Sequence, residues 1–154
     1  MPFNALPSAE ECNCFAVRAA ARHVTQFYDQ CLAPTGLRTT QFSILAKLKR
    51  KGPLTINALA EAMVMDRSTL SRNILPLERD GLIAIETSAA DRRARVLRLT
   101  SAGEKRLQAA RKLWSQAQDR FELNFGRTRS TEMRALMRAV VASSFIPPNR
   151  SVER

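Results

Sequence analysis

The sequence predicts a mainly α protein with a small β-hairpin, organised as a winged helix-turn-helix domain plus a helical dimerisation region. Two short amphipathic helices meet at a tight turn, a strand–loop–strand segment follows them, and longer helices with apolar stripes lie at both ends. The 154 residues suit a single domain, with the winged helix at about 40–100 and dimerisation helices at about 8–32 and 101–145.

The chain is strongly basic: 25 Lys and Arg residues against 14 Asp and Glu give a formal net charge of +11. Such an excess indicates a polyanionic partner, with double-stranded DNA as the first candidate and an anionic membrane surface as the second. No apolar run approaches the roughly 18 residues of a membrane span, and the N-terminal MPFNALPSAEE lacks the features of a secretory signal. We therefore expect a cytoplasmic protein whose cysteines are thiols.

The first two helices are expected over about 8–32 and 40–51. Ser8 and Glu11 have the spacing of a capping box, and apolar residues then recur mostly every three or four positions. The APTG segment at 33–36 separates the two helices, because its proline and glycine disfavour continuation.

The central segment has the pattern of a helix-turn-helix. A short helix is expected from Ile56 to about Val64. Asp66 has the character of an N-cap for a second helix that runs from about 67 to 80 and ends at Gly81. LIAIE at 82–86 and VLRLT at 96–100 are β-rich and flank a polar loop, which predicts a hairpin.

The C-terminal third is expected to be helical. One long helix should run from Thr100 or Ser101 to about Phe125, and a last one over about 130–145. The terminal helices carry more apolar surface than a small winged domain covers, so we expect an isologous homodimer.

A hairpin after a helix-turn-helix in a basic chain predicts a DNA-binding surface. The second helix of the pair should enter the major groove, and the arginines of the hairpin loop suit the minor groove. Asp91 is expected to orient a neighbouring arginine rather than to contact DNA. The predicted DNA-binding residues are Arg67, Ser68, Thr69, Ser71, Arg72, Asn73, Asp91, Arg92, Arg93 and Arg95.

The segments LAEAMVMDRSTLSRNILPLERDGLI and DRRARVLRLTSAG resemble the MarR family of winged-helix transcription regulators. The family's wing signature is an acid, an arginine two residues later and then Leu-Thr, which Asp91, Arg93, Leu99 and Thr100 match. The resemblance implies a homodimer that binds a pseudo-palindromic operator, usually to repress transcription. It also implies release by a small ligand or by cysteine oxidation.

Two residues depart from the family pattern. Val64 stands where the turn usually has a glycine. Pro76 lies inside the expected recognition helix, where it has no N–H to bond the Arg72 carbonyl, so we predict a kink between Arg72 and Pro76.

The cysteines offer a metal or a redox interpretation. With Ser8 as the cap, Cys12 and Cys14 would lie about 200° apart around the first helix and could not chelate one ion, so no metal or other cofactor is expected from a single chain. A site bridging a dimer, or one formed where the helix start frays, stays open. So does the alternative that Cys14 and Cys31 are small buried hydrophobes.

The segment that begins with Cys14 is similar to the first helix of the organic-hydroperoxide-sensing branch of the MarR family, in which Phe-Ala follows the sensing cysteine. The resemblance makes Cys14 a candidate redox sensor and Tyr28 its hydrogen-bond partner. Tyr28 lies about 21 Å away along a helix, so the contact must come from a partner subunit. Two further tyrosines of the branch fall on Arg18 and Thr39, and Arg18 at i+4 could stabilise a thiolate itself.

An effector pocket is implied by the family architecture. Its two arginines would suit a small aromatic or anionic effector. The candidate lining residues are Phe15, Arg18, Arg22, Tyr28, Phe42 and Leu45.

Other functions fit less well. A nucleoid-type DNA-binding protein without sequence preference is the alternative within the DNA-binding class. A thiol-dependent peroxidase is the remote alternative, because no second acid or base is predicted near a thiol and no Gly-rich cofactor loop is present. We therefore expect no enzyme activity. An RNA-binding module lacks its aromatic platform, since aromatic residues make up 6% of the chain.

Overall fold

The computed structural model describes Leu6 and residues 8–145. Six α-helices and three short strands lie in this part of the chain, and the predicted mainly α fold with a small sheet is confirmed. They are α1 (Asn13–Leu32), α2 (Thr39–Lys51), β1 (Leu54–Thr55), α3 (Ile56–Ala62), α4 (Arg67–Arg79), β2 (Ile83–Thr87), β3 (Arg95–Leu99), α5 (Ser101–Phe125) and α6 (Arg127–Ala142).

The start of α1 differs from the prediction. Among the described residues the Ser8 hydroxyl makes no cap bond, and a short 3-10 turn, Ala9–Glu11, follows it. The backbone is extended at Cys12, whose sulfur accepts a bond from the Phe15 N–H at 3.4 Å. Cys12 is therefore the N-cap of α1, and the prediction that it lies inside the helix was wrong.

The hydrophobic core lies among the end of α1, α2, α3, α4, the sheet and the first half of α5. The Phe42 and Trp114 rings stack at 5.8 Å between centroids and join α2 to α5. The largest side chains of this core that are less than 2% exposed are Leu32, Ile44, Leu45, Leu59, Leu70, Leu77 and Leu97. Burying each of these side chains contributes about 1.5–3 kcal/mol of transfer free energy to folding. Because Leu70 and Leu77 belong to α4, this cluster orients that helix.

The sheet is antiparallel with the strand order β1-β3-β2. Leu97 of β3 pairs with Leu54 on one side and with Ile85 on the other. Across the hairpin, the Arg98 guanidinium donates to the Glu86 carboxylate at 2.7 Å and lowers the pKa of that carboxyl. The strand that leads out of the hairpin is thus held on both edges.

A close contact joins the hairpin to α5. The Thr100 hydroxyl donates to the Gly81 carbonyl at 2.7 Å and accepts from the Gly103 N–H at 3.0 Å, so Thr100 caps α5 and ties it to the end of α4. A Cβ on Gly103 would lie 2.0 Å from the Leu82 carbonyl oxygen. This junction needs a residue without a side chain.

The chain divides into two compact units, Met1–Ala117 and Gln118–Arg154. In the second unit, Glu122 accepts from the Arg134 guanidinium at 3.1 Å, and the Arg129 guanidinium lies 4.4 Å from the centre of the Phe125 ring. The last helix begins at Arg127, three residues before the predicted start, because Gly126 adopts a φ of 103° and turns the chain at once.

Candidate nucleic-acid interface

The turn before α4 is organised by Asp66. Its carboxylate accepts from the Thr69 N–H at 2.9 Å, from the Thr69 hydroxyl at 2.6 Å and from the Ser68 hydroxyl. These bonds, the Ser68 hydroxyl first, hold the pKa of the Asp66 carboxyl well below its usual range. The predicted N-cap is present, and it fixes the first turn of the helix that was predicted to enter the major groove.

One face of α4 is buried and the opposite face is exposed. Leu70, Ile74 and Leu77 pack into the core and are at most 3% exposed. The exposed face carries a stripe that repeats every three or four residues and lies within about 60° of arc. We call it the exposed stripe; its members are Ser68, Arg72, Leu75 and Arg79.

Two predicted contact residues have their side chains turned toward the helix itself. The Ser71 hydroxyl donates to the Arg67 carbonyl at 2.8 Å, and the Asn73 amide donates to the Thr69 carbonyl at 2.9 Å. Both residues are only partly exposed. Of the predicted helix residues, Arg67, Ser68 and Arg72 are the ones that solvent reaches most freely.

The turn between α3 and α4 has a backbone that favours glycine. Val64 adopts a φ of 52° and is 69% exposed. The Met65 N–H bonds the Ala60 carbonyl and the Val64 N–H bonds the Glu61 carbonyl, which is a Schellman motif with valine at the left-handed position. The motif closes despite the valine, and the strain is confined to that residue.

Pro76 lies in α4 as predicted, and α4 continues as one helix through it from Arg67 to Arg79. The Asp80 N–H bonds the Pro76 carbonyl at 3.0 Å, so the helix resumes its regular bonding immediately after the proline. The kink between Arg72 and Pro76 stays a prediction.

The hairpin, which we call the wing (residues 83–99), has a tip held by local hydrogen bonds. Ser88 and Ala94 close the loop with a backbone bond of 2.9 Å, and the Ala94 N–H bonds the Asp91 carbonyl. The Asp91 carboxylate accepts from the Arg93 backbone N–H at 2.9 Å. Asp91 thus orders the loop through the Arg93 main chain, and the exposed Arg92, Arg93 and Arg95 side chains extend from it.

A cleft of about 310 Å³ lies where the wing approaches the start of α4. Arg67 comes from the helix, Arg93 and Arg95 come from the wing, and Asn57 comes from the first turn of α3. Asp91 is the one acidic lining residue. Three guanidinium groups around one cleft make this part of the surface attractive to a phosphate.

The three cysteines are free thiols. Cys12 and Cys14 are exposed and Cys31 is partly buried, so the alternative of a buried structural thiol does not describe Cys14 in the single chain. The prediction that Cys12 and Cys14 cannot chelate one ion required both residues to lie in the same helix. Since Cys12 is a cap and not a helical residue, that geometric argument no longer applies. Among the residues that the structure describes, no group of three His, Cys, Asp or Glu side chains could hold a metal ion.

The candidate effector residues do not all line one space. An open groove of about 810 Å³ runs beside α1 and the start of α2, and Arg22, Asp29 and Arg38 line it. Phe42 and Leu45 instead belong to the core. Phe15 and Arg18 are exposed on α1, and the Tyr28 ring packs edge-on against Phe27 at 5.4 Å.

Comparison with known proteins agrees with this geometry. A model of the MarR family matches residues 37–94, which include the helix-turn-helix and most of the wing. The transcriptional regulator HosA of Escherichia coli is 32% identical over 104 residues, which is 68% of this chain and 75% of that protein. The chain belongs to the MarR family of transcriptional regulators.

Two further MarR-family comparisons bear on the site. The crystal structure of the M. tuberculosis transcriptional regulator MosR in complex with DNA is 36% identical, has a TM-score of 0.74, and covers 86% of this chain and 98% of that one. The organic hydroperoxide resistance transcriptional regulator of Bacillus subtilis is 29% identical over 90 residues, which is 58% of this chain and 61% of that protein. This MarR-family protein is a regulator and not an enzyme.

No helix within the described residues of the MarR-family chain is long and apolar enough to cross a membrane. Sequence reasoning did not include three residues of the candidate interface: Leu75 and Arg79 on the exposed stripe and Asn57 in the cleft. Counting in helical steps from the Asp66 cap would have placed Leu75 and Arg79 beside Ser68 and Arg72. Asn57 carries no such signal, because the approach of α3 to the wing is a tertiary contact.

Proposed function

We propose that the protein is a sequence-specific DNA-binding regulator that acts in the cytoplasm as a homodimer on a pseudo-palindromic operator and represses transcription. The observation that carries the proposal is the cleft between two basic elements, where Arg67 of α4 lies with Arg93 and Arg95 of the wing. The net charge of +11 adds a long-range attraction to DNA.

The two elements suit different parts of a duplex. The N-terminal half of α4 presents Ser68 and Arg72 on a helix whose orientation the core fixes, as major-groove readout requires. The wing presents arginines on a narrow loop, as binding in the minor groove requires. In this proposal Arg72 contacts a base, Arg93 lies in the minor groove, and Arg67, Arg92 and Arg95 neutralise phosphates. The Thr69 hydroxyl orders the turn through Asp66.

The homodimer is supported by apolar side chains that the described chain leaves exposed. In the first unit Phe15 and Val17 of α1 are 48% and 42% exposed. In the second unit Leu123 is 80% exposed, and no apolar residue of α6 is buried. Apolar surface of this extent marks an interaction site, and a two-fold axis would let the terminal helices of two copies cover it.

Release of DNA is proposed to follow thiol oxidation or binding of a small anionic or aromatic effector. In the first case a hydroperoxide would oxidise the Cys14 thiolate to a sulfenic acid, with cleavage of its O–O bond and departure of an alcohol after protonation. Cys14 is exposed, as such a reaction requires, and Arg18 lies one helical turn away. In the second case Arg22 and Arg38 in the groove beside α1 would bind the carboxylate of the effector.

The proposal is tested by fluorescence anisotropy with DNA from upstream of the protein's own gene and with a shuffled duplex of the same composition. At physiological salt we expect the protein to bind the upstream operator about 1,000-fold or more tightly than the shuffled DNA, as is typical of specific regulators. Equal affinity for both duplexes over the whole salt range would instead establish a nucleoid-type binder.

The release step is tested on the same complex. Organic hydroperoxide should weaken operator binding by the wild type and leave binding by Cys14→Ser unchanged, with Cys31→Ser as the matched control that keeps the response. The same response in wild type and Cys14→Ser would remove Cys14 as the sensor. Aromatic carboxylates are titrated separately, with Arg22→Ala as the variant that should lose any response.

A further inference from the structure

Leu75 is an exposed leucine on the face of α4 that is otherwise polar. It is 63% exposed, whereas Ile74 and Leu77 beside it are 3% and 1% exposed. The leucines and isoleucine of α4 other than Leu75 are therefore buried in the core, and Leu75 alone among them is exposed. A single exposed leucine on an ordinary surface needs no explanation, so its neighbours decide what it indicates.

The neighbours are the residues proposed to contact DNA. Leu75 is three residues after Arg72 and seven after Ser68, and it precedes Arg79 by four. These spacings place all four on the exposed stripe, with Leu75 between two arginines. Arg79 is paired with Asp80 at 3.3 Å, but its side chain is 75% exposed and free to turn toward an anion.

A leucine between two arginines fits a partner that is anionic along its edges and apolar at one point. The major groove of DNA has this character. Phosphates line its two edges, and the C5-methyl group of thymine is the apolar group that the base pairs present on its floor. A purely apolar protein groove would not accommodate the flanking guanidinium groups, so the duplex is the better match.

We propose that Leu75 contacts a thymine methyl group in each operator half-site and thereby contributes to sequence specificity. This inference rests on the proposed DNA-binding function and adds one base preference to it. Arg72 and Leu75 are separated by about 4.5 Å along the helix axis, against 3.4 Å between base pairs. For a helix that lies along the groove, the thymine is therefore in the base pair next to the one that Arg72 contacts.

The experiment replaces thymine by uracil, which removes the methyl group and leaves every hydrogen-bonding atom in place. Each thymine of the operator is replaced in turn, symmetrically in both half-sites, and binding is measured by anisotropy at fixed salt. For the wild type we expect one symmetric replacement to weaken binding by about fourfold per half-site, which is the value of one buried methyl group.

The protein variants are Leu75→Ala, which removes the contact, and Leu75→Met, which keeps an apolar side chain of similar volume. Leu75→Ala should bind the thymine and uracil operators equally, while Leu75→Met should keep the preference. Because Leu75 lies outside the core, thermal melting of all three proteins should agree closely, which separates a lost contact from a folding defect.

Three results would overturn the inference. One is a wild type that binds every uracil operator as tightly as the original while still rejecting shuffled DNA, which would leave the DNA-binding function intact. Another is a Leu75→Ala variant that keeps the full preference for thymine, since another side chain would then contact the methyl group. A wild type that binds operator and shuffled DNA equally would overturn both the inference and the function on which it rests.

Discussion

The recognition helix and the wing are held in place by different means. Residues Leu70, Ile74 and Leu77 anchor α4 in the core, and Asp66 fixes its first turn with bonds from two residues. The tip of the wing has no buried residue between positions 88 and 95 and is ordered by four local hydrogen bonds. The orientation of the helix is thus a property of the whole fold, and that of the tip is a property of its own loop.

The difference indicates how each element would contribute to binding. Side chains on a rigid helix can discriminate bases, because a mismatched base leaves them unpaired and they cannot move away. Arginines on a locally ordered loop can follow the phosphates and the minor groove of many sequences. We therefore expect substitutions in α4 to change specificity and substitutions in the wing to change affinity for all DNA.

The largest effect on stability is expected at Gly103, which packs where α4 ends and the wing begins. Gly103→Ala places a methyl group 2.0 Å from the Leu82 carbonyl oxygen, beside the start of the wing and the end of α4. We expect a loss of about 3 kcal/mol in the free energy of unfolding, in the upper range for overpacking. Urea denaturation followed by circular dichroism measures it, and an unchanged midpoint would show that the junction is not closely packed.

Arg72→Ala should have the largest effect on specificity. Loss of one bidentate base contact weakens operator binding by about 10- to 100-fold. Binding to shuffled DNA should fall much less, so the ratio of the two affinities decreases. Anisotropy titrations on both duplexes measure the ratio; an equal loss on both would place Arg72 at a phosphate.

Asp66→Ala should release the first turn of α4 without removing a base contact, so its effect on operator binding should be smaller than that of Arg72→Ala. The effect on stability depends on pH. Since the pKa of Asp66 is lowered in the folded state, its ionised carboxylate adds to the free energy of unfolding. This contribution is fully present above the ordinary carboxyl pKa of about 4 and is lost as the pH falls toward the lowered value.

Melting curves of wild type and Asp66→Ala between pH 7 and pH 2 check this expectation. The two melting temperatures should differ at neutral pH and converge in acid. A difference that stays constant over the whole range would show that the carboxylate charge does not stabilise the turn. Asp66→Asn is the matched control, because its side chain can still accept a cap bond but does not titrate.

Arg93→Ala tests the wing. Since a guanidinium in the minor groove displaces about as many counterions as one phosphate contact, the slope of log affinity against log salt should fall by about 0.9, and it should fall equally on operator and shuffled DNA. An equal decrease on both duplexes would support the expectation that the wing contributes affinity for all DNA. If Arg93→Ala lowered binding to the operator alone, that expectation would be wrong.

The smallest effect concerns the two turns that end α3 and α4. Both are Schellman motifs, with Val64 at φ 52° in the first and Gly81 at φ 70° in the second. Val64→Gly should raise the free energy of unfolding by about 1 kcal/mol through relief of backbone strain, or about 2–4 °C in melting temperature. Gly81→Ala is the control in the opposite direction and should lower it, since a Cβ there meets no atom within 4 Å and backbone strain alone acts.

The sequence predicts most strongly the features whose signals are local. The Asp66 cap, the end of α4 at Gly81 and the β-rich segments of the wing depend on residues within a few positions of each other, and the structure contains all of them. The fold class follows from these elements together with the apolar periodicity of the helices.

The features that escaped prediction depend on weak caps or on distant contacts. A cysteine is a rare cap, and a serine with capping-box spacing concealed the role of Cys12 at the start of α1. The stacking of Phe42 on Trp114 joins residues far apart in the chain, so the apolar pattern of each helix does not predict that these two rings meet. Strand β1 has two residues; the turn and short strand predicted at 52–55 are present, but their pairing with β3 is a distant contact that the sequence does not show.

The position of β3 in the middle of the sheet has a consequence for synthesis on the ribosome. Until residues 95–99 leave the exit tunnel, β1 and β2 have no strand between them, although the whole helix-turn-helix precedes this point in the chain. The helix proposed to contact DNA is therefore complete in sequence before the sheet that helps to support it can form. A nascent chain that has emerged from the tunnel only as far as residue 94 would expose two unpaired strand edges and the side chains they later cover, which is a state that chaperones recognise.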